Sequence, residues 1–102
     1  MHKNMELGSA IKVIRKEKGF TQKELASKCN ISTNALCSIE NNKTLPSKAT
    51  LNKICECLNV PNAYLLFLCI TDEDIPAEST ALFKALYEPI KKVLLEEISN
   101  NS

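Results

Sequence analysis

Apolar residues recur along the first two thirds of the chain at helical spacing, and cap or turn residues interrupt them at short intervals. Leu7, Ile11 and Ile14 share one face with Ala10 beside them, which predicts a helix over about residues 6–18, stopped by Gly19. Thr21 follows, with Glu24 three positions on, the pattern of a capping box; Phe20 and Leu25 have the spacing of a hydrophobic staple. Leu25 and Ala26 then face inward, with Cys29 near the end of this second helix. Asn30 supplies a break, because asparagine tolerates a left-handed backbone better than most residues.

Ile31 reads as a buried hinge, and Ser32 as the cap of a third helix. Leu36 and Ile39 form its inner edge with Ala35 alongside, and Asn41 and Asn42 end it. The loop KTLPSK leads to Ser47, the cap of a fourth helix whose inner face carries Leu51, Ile54, Cys55 and Leu58. After the turn NVPNAY, residues 63–68 form a short, very apolar fifth helix. TDEDIPAES is an acidic surface connector. A last helix is expected over about residues 80–98, with Leu82, Phe83, Leu86, Ile90, Val93, Leu94 and Ile98 as its apolar positions and Tyr87 nearby. Pro89 inside it predicts a kink or two helices, since proline removes a backbone bond and crowds the preceding turn. No strand pattern and no internal repeat is present.

Composition sharpens this picture in three places. The longest apolar run, AYLLFLCI, has eight residues, whereas a membrane span needs about 20. The N-terminus lacks the apolar core of a signal peptide, so a cytoplasmic protein without membrane contact is expected. Five cysteines (Cys29, Cys37, Cys55, Cys57, Cys69) are an odd number, and free thiols are the expectation. With a single histidine, His2, neither a zinc site nor any other cofactor is expected. The net charge of +1 conceals a segregation: residues 1–53 hold ten Lys/Arg and four Asp/Glu, a net +6, while residues 54–102 hold three and eight, a net −5. The first half can face a polyanion, and the second half would face away from it.

The abrupt connection between the second and third helices has a physical logic. In a helix-turn-helix the second helix of the pair enters the DNA major groove and needs a narrow, polar outer face. Thr33, Asn34, Cys37 and Ser38 present such a face. Asn34 can both donate to and accept from an adenine edge, and a good bidentate pair discriminates by about 1–3 kcal/mol. Lys23, Lys28, Lys43 and Lys48 can surround it with sequence-independent charge contacts.

The stretch GFTQKELASKCNISTNALCSIENNKTLP, followed by LNKICECLNV, resembles the Cro/CI-type (XRE) family of helix-turn-helix regulators. The TQ-x-ELA start, the IS cap, the IE-N ending, the following proline and the L-x-x-I-x-x-x-L-x-V helix match in register, and the pattern runs from Leu7 to Leu66. The resemblance implies an all-α fold with a five-helix phage-repressor-like domain over residues 1–70. The residue pattern adds an acidic connector over 71–79 and a C-terminal amphipathic helix over 80–102, which either packs back on its own domain or forms a dimer interface. The resemblance implies base contacts from Thr33, Asn34, Cys37 and Ser38. Phosphate contacts would come from Gln22, Lys23, Asn41, Lys43 and Thr44, and Arg15 and Glu40 would form a structural ion pair. It implies double-stranded DNA as the partner, and a homodimer whose recognition helices lie about 34 Å apart.

Asn30 and Asn42 stand where the family usually has glycine, and Cys37 where a larger polar side chain often reads a base. The recognition face holds no Arg or Lys, the residues that most often read guanine, so an A·T-leaning contribution is expected from it. A small repressor is the leading reading. The competing one is an antitoxin-like or other interaction module whose main target is a partner protein. An enzyme is not expected, because the cysteines lack a histidine partner, a CxxC pair and a glycine-rich cradle.

Overall fold

A computed structural model describes residues 6–69 and 76–100. Most of the acidic connector, and His2, lie outside the described residues. The order is α1 (Leu7–Glu17), α2 (Gln22–Cys29), α3 (Thr33–Glu40), α4 (Lys48–Leu58), α5 (Asn62–Cys69), a 3-10 turn (Ala77–Ser79) and α6 (Thr80–Asn100). Among the described residues there is no strand.

Short helices of eight to eleven residues are marginal on their own, so their ends are fixed chemically. Thr21 accepts from the Glu24 N–H at 3.0 Å, and the Glu24 carboxylate accepts from the Thr21 N–H at 2.8 Å. The bonds to Thr21 hold the Glu24 carboxyl below its ordinary value. Ser32 and Ser47 cap α3 and α4 by accepting from the Ala35 and Thr50 N–H groups. At the other ends the backbone turns left-handed, at Gly19 (φ 80°), Asn30 (59°), Asn42 (62°) and Asn59 (58°). Asparagine thus takes three of the four positions where glycine carries the smallest steric penalty.

One apolar core joins the helices. Ile11, Ile14, Leu25, Leu36, Ile54, Leu58, Leu65, Leu68 and Ile98 are fully or almost fully buried, and each such side chain contributes about 1.5–3 kcal/mol. Helix α1 packs on α3, α5 and α6, while α2 packs on α3 and α4. Phe20, Ile31 and Leu51 are half-buried against this core. Ala35, expected along the inner edge of α3, is exposed instead. Leu36, Ile39 and Glu40 already fill the narrow inner face of that helix.

The C-terminal helix departs most from the sequence pattern. It runs unbroken through Pro89 rather than as two helices. Pro89 and Ala85, whose carbonyl loses its partner, are both exposed, so water can serve that carbonyl. The apolar positions divide between two faces. Tyr87 and Ile98 are buried, with Phe83 and Leu94 half-buried; Leu82, Leu86, Ile90 and Val93 are exposed. The inward face docks by aromatic contact: Tyr87 stacks on Phe67 with centroids 5.0 Å apart, and its hydroxyl donates to the Leu68 carbonyl at 3.1 Å. All five cysteines are free thiols.

Candidate nucleic-acid interface

Three residues, Asn30, Ile31 and Ser32, join α2 to α3. The left-handed Asn30 lets the Ile31 N–H return to the Ala26 carbonyl at 3.0 Å, which closes the end of α2. Ser32 then opens α3 with its own cap. The chain reverses here without any glycine.

Helix α3 carries Thr33, Asn34, Cys37 and Ser38 on one side. Thr33 and Asn34 are exposed, whereas Cys37 and Ser38 are half-buried. Asn41, exposed just past the helix, donates from its amide to the Cys37 sulfur at 3.4 Å. Cys37 is therefore partly covered, with its sulfur against the Asn41 amide. Lys23, Lys43 and Thr44 are all exposed.

Behind this face lies the polar heart of the domain. The Arg15 guanidinium donates twice to the Glu40 carboxylate, from Nε at 2.7 Å and from Nη2 at 3.1 Å. Its Nη1 donates to the Phe20 carbonyl at 2.7 Å. The two side chains are 8% and 0% exposed. A buried pair of this kind persists only when its remaining polar groups are satisfied. Gln22 supplies one of those bonds, donating from Nε2 to Glu40 Oε1 at 2.9 Å. The N-terminus of α2 and the C-terminus of α3 are thus tied through one carboxylate. Gln22 keeps its second amide hydrogen and its carbonyl oxygen for other partners.

A second brace could not be read from local patterns. Asn42 accepts from the Gly8 N–H at 2.9 Å through its side-chain oxygen and donates to the Ser9 hydroxyl at 3.1 Å. It holds the loop after α3 against the start of α1. The contact spans 34 positions, and the asparagine signalled only a helix stop. Gly8 is required there, because a β-carbon would fall on the Ile39 carbonyl oxygen.

The remaining thiols are buried or half-buried. Cys29 is 2% exposed and makes a long contact with the Lys53 carbonyl at 4.0 Å. Burial, together with a hydrogen bond shared with Cys57, pushes its thiol up to about 12. Burial also raises Cys55 and Cys69. Among the described residues no group of three His, Cys, Asp or Glu is placed to hold a metal ion, and no helix is long and apolar enough to cross a membrane.

A braced helix pair with a three-residue break, set in an all-helical core, defines a helix-turn-helix fold. Residues 11–65 match the family profile described as helix-turn-helix, and the chain belongs to that family, in its Cro/CI-type (XRE) branch. The chain is 42% identical over 62 residues to the HTH-type transcriptional regulator ImmR of Bacillus subtilis (strain 168), covering 61% of this chain and 49% of that protein. It is 32% identical over 94 residues to the immunity repressor protein of Bacillus phage phi105, covering 92% of this chain and 62% of that one. The chain thus spans about half to three fifths of the length of these relatives. Among solved structures, the clp gene regulator ClgR from Corynebacterium glutamicum superposes with a TM-score of 0.61 at 31% identity, covering 86% of this chain and 85% of that one.

Proposed function

We propose that this chain is a sequence-specific double-stranded DNA-binding regulator and acts as a repressor. One observation carries the reading: α3 presents Thr33 and Asn34 to solvent on a helix locked from behind by Arg15, Glu40 and Gln22. A helix so fixed can place hydrogen-bonding groups in a groove without first becoming ordered. On this reading Thr33, Asn34, Cys37 and Ser38 meet base edges, Asn34 making the directional contact. Gln22, Lys23, Asn41, Lys43 and Thr44 meet phosphates on either side. The names of the relatives, a transcriptional regulator and an immunity repressor, agree with repression. Repression then needs no chemistry, only occupation of a promoter, in the cytoplasm where the DNA lies.

The domain division follows the same reading: a DNA-binding unit over residues 1–70, a connector over 71–79 and an interaction helix over 80–102. Leu82, Leu86, Ile90 and Val93 are 43–63% exposed along one side of α6. That stripe serves a homodimer, which would set two recognition helices against one face of the duplex. The second reading, a partner protein as the main target, rests on the same stripe.

Fluorescence anisotropy with a duplex from the gene's own upstream region, against scrambled DNA across a salt series, tests the proposal. Tight, salt-dependent binding with preference for the upstream site is expected. Failure to bind either duplex at low salt would favour the partner protein. Sedimentation of the Leu86→Lys variant separates the two uses of α6: a dimer that dissociates on this change supports self-association.

A further inference from the structure

Among the described residues, the exposed large apolar side chains fall in two places. Leu66, Leu82, Leu86, Ile90 and Val93 lie on α5 and α6. Leu45 stands apart, in the loop between α3 and α4, and at 83% it is the most exposed of them all. Around it Lys43, Thr44, Ser47 and Lys48 are polar or charged and exposed, while Pro46 is half-buried.

The loop is anchored at both ends. On the α3 side the Lys43 N–H returns to the Ser38 carbonyl at 3.0 Å, and Asn42 is bonded to Gly8 and Ser9. On the α4 side Ser47 accepts from the Thr50 N–H at 3.1 Å. Between these anchors Pro46 fixes its own φ and biases Leu45 toward an extended backbone. Leu45 is therefore offered to solvent from a short, restricted segment, immediately beyond the helix proposed to read bases.

We infer that Leu45 is an apolar DNA contact, packing against deoxyribose carbons of the groove wall while Lys43 and Lys48 engage the flanking phosphates. The inference rests on the DNA-binding reading and adds to it a contact that carries no charge. A lysine bound to a phosphate releases counterions, so its energy falls as salt rises. An apolar contact removes carbon surface from water, and its energy is nearly insensitive to moderate salt. The two kinds of contact are thus separable in one experiment, and Leu45 sits in the loop between α3 and α4, not on α6, the helix proposed for the homodimer.

The experiment compares the wild type, Leu45→Ala and Lys43→Ala on one upstream duplex by anisotropy across a salt series. Leu45 is too exposed to support the core, so Leu45→Ala should melt like the wild type. It should weaken binding about tenfold at every salt concentration, the consequence of losing a leucine's worth of buried surface. Its salt slope should match that of the wild type, whereas Lys43→Ala should flatten the slope by about one. Unchanged affinity for Leu45→Ala beside a binding wild type would overturn this inference alone. A wild type that binds no duplex would overturn it together with the proposed function. Loss of self-association in Leu45→Ala without DNA would assign the leucine to a second copy and overturn the inference too.

Discussion

Arg15 and Glu40 meet in a two-bond pair buried between the end of α1 and the end of α3. The arginine also closes the Phe20 carbonyl, and the glutamate also receives Gln22. Removing one partner strands a charge in a water-poor site. Glu40→Ala should therefore cost about 3–5 kcal/mol in urea unfolding. An Arg15→Met, Glu40→Leu double variant should be more stable than Glu40→Ala, because no uncompensated charge remains. Equal stability of Glu40→Ala and wild type would show that the pair is well solvated.

Gly8 and Gly19 predict two different failures. A methyl group at Gly8 collides with the Ile39 carbonyl and the Asn42 side chain. Gly8→Ala should cost about 1–3 kcal/mol through overpacking, and should weaken DNA binding by displacing the loop after α3. Gly19 has open space around it but sits at φ 80°. Gly19→Ala should cost about 1–2 kcal/mol through its backbone alone, with DNA affinity unchanged for the folded protein. Matched DNA titrations on the two variants distinguish them.

Asn34 and Lys43 should fail in different ways on DNA. Asn34→Ala should lose about 1–3 kcal/mol on the preferred duplex and little on scrambled DNA. Lys43→Ala should weaken both duplexes alike and lower the salt slope by about one. Parallel losses for both variants on both duplexes would remove Asn34 from base reading.

The thiols should divide by position. Cys37 is half-buried at the proposed interface, while Cys29 is sealed inside with its thiol pushed up to about 12. A maleimide at neutral pH should label Cys37 before Cys29, as peptide mapping would show, and labelled protein should lose DNA binding. Cys37→Ser should retain binding and be insensitive to the reagent. Cys29 also predicts an alkaline limit. The folded state holds its proton more tightly than the unfolded chain does, whose thiol titrates near 9.0. Its contribution is complete below that value and is lost as pH rises toward about 12. Cys29→Ala should show a smaller fall in urea midpoint between pH 8 and 11.

The capping box of α2 sets an acid limit. The Glu24 carboxyl is held below 4.5, first by the Thr21 N–H. Its contribution is present above that value and fades as pH falls through the lowered one. Thr21→Ala should cost about 1 kcal/mol at neutral pH, whereas Glu24→Gln, which removes the titrating carboxyl, should reduce the stability difference between pH 6 and 3. A difference as large as that of the wild type would place the acid sensitivity elsewhere.

The parts of the fold governed by local chemistry were legible in the sequence. Thr21, Ser32 and Ser47 announce three helix starts, because a cap is decided within four residues. Asn30 announces the break for the same reason. The Arg15–Glu40 pair was legible only through the family resemblance, since nothing in their spacing of 25 positions brings them together. The bonds from Asn42 to Gly8 and Ser9 were not legible at all, because they depend on how α1 crosses the end of α3. On α6 the apolar count pointed to burial, but it could not choose a face. Tyr87 decided that, because its ring found Phe67 and its hydroxyl found the Leu68 carbonyl.

The division of charge has a kinetic consequence. Among the described residues, 6–53 hold nine Lys/Arg and four Asp/Glu, a net +5, while α6 holds three Lys and three Glu and is neutral, so the charge is concentrated on the helices that carry the interface. In the field of a polyanion such a body turns before it touches, leading with α2 and α3 and trailing α6. Fewer encounters are then spent on unproductive orientations, and the molecule approaches faster than a uniformly charged sphere of the same net charge.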